Sequence, residues 1–207
     1  MELFNRGYYD ENDLKECGFK YIGKNVLIDK SCTIIGEKNI WIGDNVRIDG
    51  FTTITCLKDG YLKIKGNNHI ASYSLIAASG GIVFEEFSGI AHGVKLYSSS
   101  DDYSGNSLTN PTIPSKYKTE NIKSIRLGKH SIIGSSSVIL PGVNIGEGVA
   151  VGAMSLVTKN LDDWSIYFGI PVKKIKNRSK KILELENIYI EEREIDSYEK
   201  DLKNWSN

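Results

Sequence analysis

The chain has 207 residues, enough for one sizeable core with an appendage and too few for several large domains. Lysine plus arginine and aspartate plus glutamate balance at 26 each, so no global charge draws the chain to nucleic acid or to an anionic membrane. Any charged ligand has to be met by local groups. The start, MELFNRGYYDENDL, has no apolar stretch of signal-peptide length and no later segment approaches a membrane span, so the expected compartment is the cytoplasm. Cys17, Cys32 and Cys56 are odd in number and lack C-x-x-C spacing. They read as plain buried or half-buried thiols rather than as a disulfide framework or zinc ribbon.

In chain order, Asp10 to Cys17 reads as a short helix, and residues 1–20 as a helical cap on the main body. From there aliphatic residues fall six apart: Ile22, Ile28, Ile34, Ile40, then after a phase shift Ile42, Ile48, Ile54. Further phases are Ile64, Ile70, Ile76, Ile82 and Phe84, Ile90, Leu96. A period of six fits neither a helix nor an alternating strand. It fits a chain that lays down one short strand, turns, and lays down the next, each strand aiming one aliphatic residue at a common axis. Three hexads make a triangular coil, and glycine and asparagine suit its corners, where φ is positive. A β-sandwich would instead show alternation within strands and a turn every 8 to 12 residues.

After Leu96 the pattern breaks, and it resumes only at Leu127. The excursion, residues 97–124, is too long for a turn, and loops of that size in a compact body are often functional. Asp101, Asp102, Tyr103, Asn106, Asn110 and Tyr117 give it hydrogen-bonding groups suited to a sugar or amino sugar, and Pro111 and Pro114 stiffen it. The cleanest hexads come after it: Leu127, Ile133, Ile139, Ile145, Val151, Val157, with Ser131, Ser137, Val143, Val149, Ser155 and Leu161 four positions after each. The repeat therefore occupies residues 21–172. Residues 173–207 begin with a basic cluster, Lys173, Lys174, Lys176, Arg178, Lys180 and Lys181. They continue with Ile182, Leu185, Tyr189, Ile195, Tyr198, Leu202 and Trp205 at helical spacing. That amphipathic segment is expected to cover the last coil or to pack on a neighbouring subunit. Its many acidic residues argue against anionic lipid.

The run LGKHSIIGSSSVILPGVNIGEGVAVGAMSLVTK, closing on YFGIPVKKIKNRSKK, resembles the hexapeptide-repeat acyltransferases, over about Ile22 to Lys181. The resemblance implies an all-β fold, a left-handed parallel β-helix with one long loop excursion, a short N-terminal helix and a C-terminal helical segment. It also implies a homotrimer and acetyl-CoA as co-substrate, with no metal. In such enzymes coenzyme A lies beside the terminal coils. That places its phosphates near Lys173 and Lys174 and its pantetheine arm along the corners at Ser135 and Ala153. The loop would reach to the next subunit, so that the acceptor lies between two chains.

Sugar O-acetyltransferases of this kind carry a histidine at the start of the excursion as general base. Matching IAHGVKLYSSSD to their pattern puts Asp101 there. A carboxylate with a reference pKa of about 3.9 is a weak base for a hydroxyl, whereas a histidine near 6.5 suits neutral pH. Either another histidine serves, His92 first and His69 second, or the acceptor is an amine. An amine with a pKa of about 8 is already nucleophilic and needs Asp101 or Asp102 only to orient it and help take its proton. The block LYSSSDDYSGNSLTNPTIP, with HIASYSLIAASGGIVFEEFSGI before it, is similar to acyltransferases that N-acetylate a nucleotide-linked 4-amino-4,6-dideoxyhexose for bacterial surface polysaccharide. The expected activity is therefore acetyl transfer from acetyl-CoA to the amino group of a nucleotide-linked sugar. The competing readings are a sugar O-acetyltransferase of galactoside or maltose type with a displaced histidine, a carbonic anhydrase-like β-helix binding zinc through His69, His92 and His130, and a purely structural β-helix. Fold alone does not choose among them.

Overall fold

An inward aliphatic side chain at every sixth position winds the chain into stacked triangular coils. The computed structural model describes residues 7–205, with side chains as far as Arg193. Three ladders of directly paired residues run through the stack. Ile22, Ile42, Ile64, Phe84, Leu127 and Ile145 line the first face. Ile28, Ile48, Ile70, Ile90, Ile133 and Val151 line the second. Ile34, Ile54, Ile76, Leu96, Ile139 and Val157 line the third. Nearly all are fully buried, and each such side chain contributes about 1.5–3 kcal/mol. The first two faces form one sheet, because strands Ile40–Ile48 and Leu62–Ile70 pass unbroken through the corner between them; the third is a separate six-stranded sheet.

The departures from period six share one place. Ile34 to Ile42, Ile54 to Ile64 and Ile76 to Phe84 are eight, ten and eight residues apart, and Leu96 to Leu127 are thirty-one apart. Every one of these steps crosses the third corner, where the third face returns to the first. The other two corners keep the strict repeat and the third collects the extra chain.

Corner chemistry differs from the glycine and asparagine expected. Asn25, Asn45, Asn67 and Gly148 do hold left-handed positions at the first corner, but so do Phe87, His130 and Trp164. At the second corner Phe51, Tyr73, Ser136 and Met154 do the same. A left-handed conformation costs such residues roughly 1–2 kcal/mol. Stacking from coil to coil offsets part of it: Phe51 lies on Tyr73 with ring centroids 5.2 Å apart, and Phe87 on His130 at 5.1 Å.

Both ends are covered, by different means. Helix α1, Glu11–Glu16, is held by a capping box in which Asp10 accepts from the N–H groups of Asn12 and Asp13, and it buries Leu14 against the first coil. At the other end strand Ser165–Gly169 turns back on Val172–Asn177 as an antiparallel hairpin. Helix α2, Ile182–Trp205, then leaves the last coil and runs along the first corner toward the N-terminus. Glu186 meets His130 and Lys129, and the Tyr189 hydroxyl reaches Asn67, so α2 does not cap the last coil as its position in the chain suggests. Its buried position is Glu186, while Leu185 stays exposed, because ionic contacts rather than the apolar stripe set its face. Ile195, Tyr198, Leu202 and Trp205, expected on that stripe, lie outside the described side chains.

Candidate active site

The excursion leaves from the third corner as an ordered ribbon. Ser99–Asp101 pairs antiparallel with Glu120–Ile122, and Pro114 leads into a short 3-10 turn, Ser115–Tyr117. Asp102 is consumed by the loop itself: its carboxylate accepts from Ser104 N and Oγ at 2.8 and 2.9 Å, from Asn106 N at 3.1 Å and from Ser107 Oγ at 3.3 Å. The bonds from Ser104 and Asn106 hold its carboxyl below the usual aspartate range. Asp101 accepts one bond, from Asn110 N at 3.1 Å, and Asn110 in turn accepts from Thr112. Asn106 is tied to Ser104, while Tyr103 and Tyr117 are exposed. The root of the loop thus offers one carboxylate oxygen of Asp101 free of protein partners in the described contacts, beside a rigid turn built on Asp102.

The second corner gathers another set. His92 O accepts from Ser136 N at 2.9 Å and Ser135 O accepts from Met154 N at 2.7 Å, so His92, Ser135 and Ala153 follow one another coil by coil on a single ridge. His92 is exposed. A Cβ on Gly134 would stand 2.4 Å from Ala153 N, so glycine there is what lets these turns stack so closely. Gly169 N donates to Ser155 Oγ at 3.1 Å, which brings the turn of the C-terminal hairpin to the foot of the same ridge. Lys173 and Lys174 come after that turn, opposite Phe168 and Tyr167, and both are exposed. Coils stack about 4.8 Å apart, so the ridge from His92 to the hairpin spans roughly 15 Å. In one chain the full width of the third face separates this ridge from Asp101, on the order of 15–20 Å for a strand of that length.

His69 stands apart from both. It lies on the outer side of the second face, where its Nε2 meets Asp49 at 2.7 Å, and Asp49 also accepts from Arg47 Nε at 2.6 Å. Burial raises the Asp49 pKa, but the bonds from His69 and Arg47 outweigh it and hold the carboxyl below the usual range. His130 is buried against Glu186 with the ring of Phe87 stacked on it, and serves the docking of α2. His69 and His130 thus meet different carboxylates and His92 lies exposed on the ridge, and among the described residues no group of three or more His, Cys, Asp or Glu is placed to hold a metal ion. Burial lifts the thiols of Cys32 and Cys56 to about 11, so both stay protonated at neutral pH. Asp49 and Glu186 escaped the sequence reading because His69, and Lys129 and His130, come from other coils, and Arg47 because it acts through Asp49. The i, i+2 spacing of Arg47 and Asp49 on one strand face was the available signal.

No family model matches the chain. It is 42% identical over 182 residues to a dTDP-4-amino-4,6-dideoxy-D-glucose acyltransferase of Escherichia coli, covering 88% of this chain and 94% of that one. Among solved structures, AntD, an N-acyltransferase from Bacillus cereus, in complex with dTDP and 3-hydroxybutyryl-CoA, superposes with a TM-score of 0.87 and 46% identity, covering 92% of this chain and 99% of that one. A serine-to-cysteine variant of AntD, in complex with dTDP-4-amino-4,6-dideoxyglucose and coenzyme A, superposes at 0.86, again with 46% identity, over 91% of this chain and 99% of that one.

Proposed function

The chain belongs to the family of the dTDP-4-amino-4,6-dideoxyglucose acyltransferases, left-handed parallel β-helix enzymes, and from that premise we propose that it moves an acetyl group from acetyl-CoA to the 4-amino group of a dTDP-linked 4-amino-4,6-dideoxyhexose. It is an acyltransferase. The observation that carries the choice of amine over hydroxyl is the carboxylate at the root of the loop, where an O-acetylating site needs an imidazole. The neutral amine attacks the thioester carbonyl carbon, and its new C–N bond forms as the carbonyl electrons move onto oxygen. Corner N–H groups along the Ser135 and Ala153 ridge stabilise that oxyanion. Collapse breaks the C–S bond and expels the coenzyme A thiolate, while Asp101 takes the ammonium proton and passes it to solvent. Lys173 and Lys174 are assigned to the coenzyme A phosphates, His92 to the donor ridge, and Tyr103, Asn106, Asn110 and Tyr117 to the acceptor side.

The two corners that carry these groups lie on opposite edges of the third face, which supports a homotrimer in which one copy's loop covers the next copy's ridge. The exposed Phe51, Tyr73 and Met154 on that ridge, at 58%, 65% and 70%, would be covered in the same contact. No helix among the described residues is long and apolar enough to cross a membrane. The two nucleotide-bearing co-substrates support a cytoplasmic reaction. The product is an activated glycosyl donor, which fits supply to a surface polysaccharide.

The test is acetyl-CoA-dependent thiol release with amino and hydroxyl forms of the same dTDP-hexose, and with 3-hydroxybutyryl-CoA as a second donor. Turnover is expected on the amine with acetyl-CoA. Turnover on the hydroxyl alone would overturn the assignment and direct attention to His92 and His69.

A further inference from the structure

The extra residues that the third corner absorbs form a seat for the ribbon. In the turn between Ala77 and Ile82, Gly80 N donates to Ser98 Oγ at 2.8 Å, Ser98 Oγ donates to Ala77 O at 2.8 Å, and Ser98 O accepts from Lys123 N at 2.9 Å. One buried serine thus ties the turn to both roots of the excursion. A Cβ on Gly80 would stand 2.4 Å from Ser98 O and 3.0 Å from Ile122 Cγ2, so the ribbon lies directly on this turn. One coil earlier the same corner is two residues longer, Ile54 to Ile64 against Ile76 to Phe84. There Lys58, in a left-handed conformation unfavourable to a lysine, pairs with Glu120 of the ribbon. Glu120 also accepts from Lys118 Nζ at 3.1 Å, and the Lys118 side chain is only 8% exposed. The bond from Lys58 first, and that from Lys118 second, hold the Glu120 carboxyl below its usual range.

Glu120 is the residue that pairs with Asp101 across the antiparallel ribbon. Side chains so paired share one face of the ribbon with Cβ atoms about 5 Å apart, and two bare carboxylates there repel each other. Asp101 has a single bond of its own, from Asn110 N, so its place depends on the ribbon that carries it. We infer that Lys58, Lys118 and Glu120 are positioning residues for acyl transfer: the two lysines draw the Glu120 carboxylate to the coil and neutralise it, and so fix Asp101 on the facing strand where the substrate amine meets it. Lys58 belongs to a coil two before the one the loop leaves, so the height of Asp101 on the prism is set from outside the loop. This inference rests on Asp101 taking the proton, as proposed above.

Steady-state kinetics with acetyl-CoA and the dTDP-linked amino sugar test it, on wild-type protein and the K58Q, K58R, E120Q, K58Q/E120Q and D101N variants, with thermal melts to establish folding. A misplaced Asp101 is expected to lower kcat about 10-fold or more in K58Q and E120Q, with KM for acetyl-CoA unmoved. K58R, which keeps the charge, should stay close to wild type. The double variant should be no slower than E120Q alone, because the two residues act as a unit. D101N at the wild-type rate would sink the role of Asp101 itself. An impaired D101N beside K58Q and E120Q at the wild-type rate would sink only the clamp. A raised KM for the sugar at unchanged kcat, or losses that add in the double variant, would also overturn the inference.

Discussion

Asp101 and Asp102 are chemically identical neighbours, and only their hydrogen bonds separate them. Asp102 spends its oxygens on Ser104, Asn106 and Ser107, so it organises the turn; Asp101 keeps one oxygen free of protein partners among the described contacts, which suits the proton-accepting role proposed for it. Replacing Asp101 with asparagine should leave the loop in place and lower kcat about 100-fold or more, the usual scale for a lost proton acceptor. Replacing Asp102 with alanine should instead raise KM for the sugar by loosening the turn. Steady-state kinetics on both variants separates the two roles. The lowered pKa of Asp102 adds a pH dependence with a definite sign. Its contribution to loop order is complete above the ordinary carboxylate pKa, near 4, and is lost as pH falls through the lowered value. The amide NMR shifts of Ser104 and Asn106 should move toward unstructured values only in that acid range. The aspartate pair was visible in the sequence as DDYSG, but the division of labour was not, since it depends on where backbone N–H groups come to point.

At the scale of elements, the loop and α2 are additions to a self-sufficient stack. The ladders continue from Phe84 to Leu127 and from Leu96 to Ile139 across the excursion, so the coils on either side hold each other without it. Replacing residues 99–122 with a short glycine turn should keep the β-sheet circular dichroism and coenzyme A binding and abolish acyl transfer. Loss of the fold would show that the ribbon, not the ladder, joins the two halves. Helix α2 is held differently. Burial raises the Glu186 pKa, but hydrogen bonds from Lys129 and His130 outweigh it and keep the carboxyl ionised. Glu186→Gln should cost about 1–3 kcal/mol and expose the segment between Arg178 and Arg193 to trypsin, read by limited proteolysis and a lowered Tm. The helix was legible from its spacing. Its docking face was not, because Glu186 and His130 are 56 residues apart and nothing local marks them as partners.

For the whole molecule, the decisive geometry is the separation of the two functional edges. The ridge proposed for the donor runs along the second corner and the loop proposed for the acceptor leaves the third, so on that proposal a lone chain holds half of each of two sites. Light scattering is expected to give three copies per particle. A mixed preparation of Asp101→Asn and Lys173→Ala chains should recover activity that neither variant has alone, if each site draws its loop and its ridge from different copies. The period of six determined the coil by itself, because an inward residue in each hexad is a local requirement that stacking converts directly into a core. The Asp101 carboxylate was equally plain in the chain, since it is a matter of residue type at a given position. Which residues share a corner depended on the tertiary structure: His92, Ser135 and Ala153 lie up to 61 positions apart, yet one turn of the coil sets each above the next. Lateral neighbours in a solenoid are separated by a whole coil of chain, so their meeting is decided by how many residues each corner absorbs.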